Sequence, residues 1–98
     1  MNLSVSEENY IKSIYHLQSV TDKVNTNSLA GELNTKAASV TDMLKTLKAK
    51  KLLQSKRYYG FKLNAKGIVI ALSIIQRHLL WEFFLVYKLF FPWLIVDL

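Results

Sequence analysis

The chain has 98 residues, 51% of them hydrophobic, with one proline, three glycines and no cysteine. That suits one packed domain, or one domain with an appendage, and excludes a disulfide framework, a thiolate zinc site and a cysteine nucleophile. The net charge of +6 is unevenly placed: residues 36–66 hold nine Lys and Arg against Asp42 alone, so this segment carries +8 and the remainder −2. A concentrated basic segment is the electrostatic footprint of a polyanion, although a solvated lysine-rich face has the same composition. Residues 1–5 lack a basic n-region and a long apolar run, so no signal peptide is read and a cytoplasmic setting is expected.

Ser4-Val5-Ser6-Glu7 has capping-box spacing, and Tyr10, Ile11, Ile14, Leu17 and Val20 follow at three- and four-residue steps, which predicts a helix over about 5–20. His16 falls on the side of this helix, with no partner evident. Residues 21–25 are polar and turn-like, with Val24 anchoring a short extended piece. Thr26 is read as the N-cap of a short second helix that turns Leu29, Ala30 and Leu33 inward and ends near Asn34. A third helix opens at Thr35 or Lys36 and runs to about residue 50, with Val40, Met43, Leu44, Leu47 and the stem of Lys51 on its buried side. Two short helices across a tight polar turn make a helix-turn-helix.

The apolar period then changes from about 3.6 to 2, over Leu52-Leu53-Gln54-Ser55-Lys56 and Gly60-Phe61-Lys62-Leu63, around the tip Arg57-Tyr58-Tyr59. This is a β-hairpin, a wing. Asn64 is placed as the cap of a long, mostly buried helix that runs through the apolar stretch 68–89. The expected fold is mainly α with a small β-hairpin, a winged helix-turn-helix followed by a long helix.

A recognition helix needs an apolar face toward the body and small or polar groups toward base edges. In the third helix Ala37 and Ala38 permit close approach, Ser39, Thr41 and Asp42 face bases, and Lys45 and Lys48 suit phosphates. Thr26 and Asn27 at the second helix, Lys36 at the start of the third, and Arg57, Tyr58 and Tyr59 at the wing tip complete the expected contacts to double-stranded DNA. Neither histidine has a serine, cysteine or paired-carboxylate setting, so an enzyme is not expected. His78 and Glu82 are four apart on the long helix and could share one divalent ion.

Ser6-Glu7-Glu8-Asn9-Tyr10-Ile11-Lys12-Ser13-Ile14-Tyr15, Asn27-Ser28-Leu29-Ala30-Gly31-Glu32-Leu33, Ser39-Val40-Thr41-Asp42-Met43-Leu44 and Tyr59-Gly60-Phe61-Lys62-Leu63-Asn64-Ala65-Lys66-Gly67 together resemble the diphtheria-toxin-repressor family. Its members are metal-dependent repressors of iron or manganese homeostasis, and they act as dimers. The resemblance implies a repressor that binds specific DNA sequences, a homodimer, and a manganese or iron cofactor. It implies His78 and Glu82 as metal ligands and places a further ligand at Asn9, where relatives have Asp or Met; the glutamate of the manganese branch falls on Lys12. Asn9 offers only a carbonyl oxygen and Lys12 repels a cation, so the metal site is expected to be incomplete and the metal response impaired. The apolar residues 90–98 stand where the family has an acidic helix, which reads as a shortened C-terminus. The expected division is a winged helix-turn-helix over 1–66 and a partial dimerisation and metal-binding region over 67–98.

Two other readings fit parts of the chain. A winged helix can bind protein rather than DNA. Residues 79–98 have the length of a bilayer span, but Glu82, Lys88 and Asp97 are costly in lipid, so no membrane partner is expected and the apolar end is read as a subunit contact.

Overall fold

The structure, a computed structural model, describes residues 2–21, 24–56 and 60–90. Its elements are α1 (Val5–Val20), α2 (Thr26–Leu33), α3 (Ala37–Ala49), β1 (Leu53–Lys56), β2 (Gly60–Leu63) and α4 (Ala65–Phe90). This is the winged helix-turn-helix with a long following helix that the sequence predicts. The hairpin tip, with Arg57, Tyr58 and Tyr59, lies outside the described residues.

The capping box of α1 is formed: the Glu7 amide donates to Ser4 Oγ at 3.0 Å, and the Ser4 amide donates to Glu7 Oε1 at 3.1 Å. The helix buries Tyr10, Ile11 and Ile14, whereas Val20, at its last turn, is left 68% exposed. In α2 the cap is Asn25 rather than Thr26, which is the first helical residue. Asn25 wins because Ser28 stands three residues on and completes a reciprocal box, with Asn25 Oδ1 accepting from the Ser28 amide at 2.8 Å and Ser28 Oγ accepting from the Asn25 amide at 3.0 Å. Asn34 then takes a left-handed conformation, φ 53°, and closes the helix before the turn into α3.

Val40 and Leu47 of α3 are fully buried, with Met43 and Leu44 half-buried beside them. Lys51 does not extend this stripe as its stem was expected to: the helix ends at Ala49, and Lys51 sits exposed at φ 60°. Its carbonyl instead accepts from Asn64 Nδ2 at 2.7 Å, tying the end of α3 to the start of α4. Asn64 also caps α4 as predicted, accepting from the Gly67 amide at 2.8 Å.

In the hairpin, β1 and β2 pair antiparallel with Leu53 opposite Leu63 and Ser55 opposite Phe61. Val24 adds a single parallel bridge to Gly60, and the Phe61 amide donates to the Val24 carbonyl at 3.0 Å. One core joins every helix to the hairpin, through Ile11, Ile14, Leu29, Val40, Leu47, Leu52, Leu63, Ala71 and Ile74. Each fully buried Val, Leu or Ile side chain there contributes about 1.5–3 kcal/mol.

The expectation of a mostly buried α4 is corrected. Gly67, Ala71 and Ile74 pack into the core, but Leu79, Leu80, Trp81, Phe83, Leu85, Val86, Leu89 and Phe90 are 48–74% exposed. The helix outruns the body that could cover it, and its apolar composition alone does not say where that body stops. By length and composition α4 is also long and apolar enough to cross a membrane, although it carries Arg77, Glu82 and Lys88.

Candidate nucleic-acid interface

The third helix carries the residues expected to face DNA as one exposed ladder. Ala37, Ala38, Ser39, Thr41, Asp42, Lys45 and Lys48 are all exposed, while Val40 and Leu47 on the opposite side anchor the helix in the core. Thr41 Oγ1 donates to the Ala37 carbonyl at 3.1 Å. With its proton engaged inside the helix, the Thr41 oxygen is presented outward as an acceptor, suited to an exocyclic base amine. Lys36 is the N-cap of α3 and makes no side-chain cap bond, so the first-turn amides remain open to an anion. At α2, by contrast, the Ser28 amide is already taken by Asn25.

Thr26, Thr41, Lys45 and Lys48 are brought together around one cleft of about 190 Å³ between α2, α3 and the hairpin. Leu44, Leu53 and Phe61 give it apolar walls, and Ser55 adds a hydroxyl from β1. Ser55 was missed at the sequence level, because only the fold of the hairpin against α3 sets it beside the two lysines. Asn27 is exposed at the start of α2 and does not line the cleft.

One of the basic residues in 36–66 is spent internally. Lys50 pairs with the buried Glu7 across α1 and α3. That hydrogen bond, followed by the one from the Ser4 amide, holds the Glu7 carboxyl below its ordinary pKa. His16, for which the sequence offered no partner, lies 3.5 Å from Glu32 of α2.

The residues proposed for metal are placed differently. His78 is half-buried where α4 crosses α1, with Glu82 exposed one turn further and Asn9 exposed on α1. Lys12 Nζ lies 3.1 Å from His78 Nδ1. An ammonium can only donate, so Nδ1 accepts and the imidazole proton sits on Nε2. In that tautomer neither ring nitrogen offers a free lone pair. A divalent ion about 4 Å from the ammonium would meet a repulsion on the order of 8 kcal/mol at an effective dielectric of about 20. Glu8, one turn before Lys12, is engaged by Arg77 at 2.6 Å. Among the described residues no three His, Cys, Asp or Glu side chains converge in a metal-binding group. The residues present do not fit a divalent ion at His78.

An exposed, basic third helix seated beside a hairpin and held by a helical core defines a winged helix-turn-helix. Residues 2–61 match the family described as iron dependent repressor, N-terminal DNA binding domain. The chain belongs to that iron-dependent, diphtheria-toxin-repressor family, whose members are transcriptional regulators and not enzymes. It is 35% identical over 80 residues to the HTH-type transcriptional regulator MntR of Oceanobacillus iheyensis, covering 82% of this chain and 54% of that protein. An uncharacterised HTH-type transcriptional regulator of Methanocaldococcus jannaschii is 34% identical over 85 residues, covering 86% of this chain and 68% of the relative. The chain thus spans about half the length of the MntR proteins it matches. Among solved structures, ScaR with bound Zn2+ superposes with a TM-score of 0.77 at 29% identity, over 87% of this chain and 39% of that one. MepR of S. aureus, in a DNA complex, gives 0.72 at 20% identity over 88% and 64%, a likeness of fold alone.

Proposed function

We propose that the chain is a cytoplasmic, sequence-specific DNA-binding repressor in metal-ion homeostasis, with residues 1–66 as its DNA-binding unit. The observation that carries this is the cleft where Thr26, Thr41, Lys45 and Lys48 meet beside the exposed ladder of α3. Ala37, Ala38, Ser39, Thr41 and Asp42 approach base edges in the major groove. Lys36, Lys45 and Lys48, with Thr26 and Asn27, bind phosphates, and Arg57, Tyr58 and Tyr59 extend the contact from the wing.

Residues 67–98 are assigned to subunit pairing, and the chain acts as a homodimer through the exposed apolar half of α4. The Zn2+ bound to ScaR and the iron-dependent family support a divalent metal, manganese or iron, as the one this regulator answers to. The response of this chain to such a metal is impaired, because His78, Glu82 and Asn9 are an incomplete ligand set and Lys12 stands against His78.

Filter binding to mixed-sequence duplex DNA across a salt series tests the reading. With Lys36, Lys45, Lys48 and Arg57 on phosphates, about four cations in all, log K falls with log salt at a slope near −4. A flat response overturns DNA binding in favour of a protein-binding module. Sedimentation of the expressed chain with membranes after a carbonate wash would instead make α4 an anchor.

A further inference from the structure

We propose that Lys12 is a tethered cation, whose ammonium, 3.1 Å from His78 Nδ1, joins α1 to α4 at the position the family resemblance gives to a metal ion, so that this seam closes without one. A metal ion between two helices supplies one positive centre that ligands from both can share. Here the positive centre is covalently part of α1, and His78 of α4 is its acceptor. The geometry is that of a built contact, since both side chains are partly withdrawn from solvent and the pair spans 66 residues of sequence. A second cross-link lies beside it, where Arg77, the neighbour of His78, reaches Glu8 at 2.6 Å. Together they engage two consecutive positions of α4 with two positions of α1 one turn apart. That doubles the constraint on the crossing and removes Glu8 as a spare carboxylate for any ion.

The charge pattern agrees with the contact. Asn9 supplies a neutral amide where a carboxylate would favour a cation, and Glu82 is exposed on α4 and belongs to no group of three His, Cys, Asp or Glu side chains among the described residues. A family member wired in this way holds α4 against its DNA-binding unit at every metal concentration. The inference deepens the reading of an impaired metal response and does not depend on DNA binding.

The test is thermal unfolding of the full 98-residue chain in EDTA and in millimolar manganese chloride, with calorimetric titration of manganese, for the wild type, Lys12→Met, His78→Leu and the double variant. The expected result is a wild-type Tm unmoved by manganese and no titration heat. Each single variant is expected to lose roughly 4 °C in Tm, with the double variant no lower than the singles. Singles that leave Tm unchanged, or losses that simply add in the double variant, overturn the tether while the impaired metal response stands. Micromolar binding of manganese by the wild type, with a rise in its Tm, overturns both.

Discussion

Gly60 is where three segments crowd one another. Its φ of 79° suits glycine, and a Cβ there would lie 2.0 Å from the Val24 carbonyl oxygen, which already accepts from the Phe61 amide. Gly60→Ala must therefore break the Val24 bridge or strain the hairpin, and a loss of about 2–3 kcal/mol is expected, read as a lower urea midpoint with unchanged slope. Glu7 makes a second residue-scale prediction. Its carboxyl is held below its ordinary value of 4.5 by Lys50 and the Ser4 amide. The folded state thus binds that proton less readily than the unfolded chain, so the contribution of Glu7 is fully present above pH 4.5 and is lost as the pH falls below it through the depressed value. Glu7→Gln should flatten the fall of Tm with acidification below pH 4.5, while an equally steep fall would show that other carboxylates set it. The pairing of Glu7 with Lys50 could not be assigned from sequence, because they are 43 residues apart, Glu7 is accounted for there by its capping box and Lys50 resembles an ordinary surface charge.

Among the elements, α3 allows anchoring and reading to be separated by substitution. Lys45→Ala and Lys48→Ala remove exposed charges from the cleft, so folding should be preserved while the salt slope of DNA binding drops by about 1 for each. Thr41→Val keeps the shape and loses the acceptor, so discrimination among duplexes should weaken by about 1–3 kcal/mol with little change in Tm. Equal loss on all sequences would make Thr41 a phosphate contact instead. The order and type of these elements were legible in the sequence because the apolar period changes from 3.6 to 2 and back, and because Ser4 and Asn64 lie at the helix starts that they cap. What was not legible depended on partners distant in sequence. Asn25 displaced Thr26 as cap through Ser28, Lys51 left the α3 stripe for Asn64, His16 found Glu32, and the uncovered half of α4 reads in sequence like a buried one.

At the scale of the whole molecule, the long dimension is set by α4, and the extents are 55 × 25 × 22 Å. Leu79, Phe83, Val86 and Phe90 recur along one face of the projecting half, each at least half exposed. Replacing Leu79, Phe83 and Val86 together by Gln should leave the dilute-solution Tm near that of the wild type, since the core ends before them, and should shift the mass seen by light scattering from dimer to monomer. An unchanged mass would rule out this face as the pairing surface.

The same helix is rooted and free at once. Gly67 is pressed so close to the base of the hairpin that a Cβ would come within 2.5 Å of the Leu52 carbonyl oxygen, and Arg77 and His78 still reach α1, whereas most of the apolar side chains beyond His78 stand exposed. From residue 78 to residue 90 an α-helix advances roughly 18 Å, so a tilt of about 5° at the root moves the tip by about 1.6 Å. The far half of α4 is thus a lever arm, and a partner that held its tip would bear on the seam between α4 and α1 through that length.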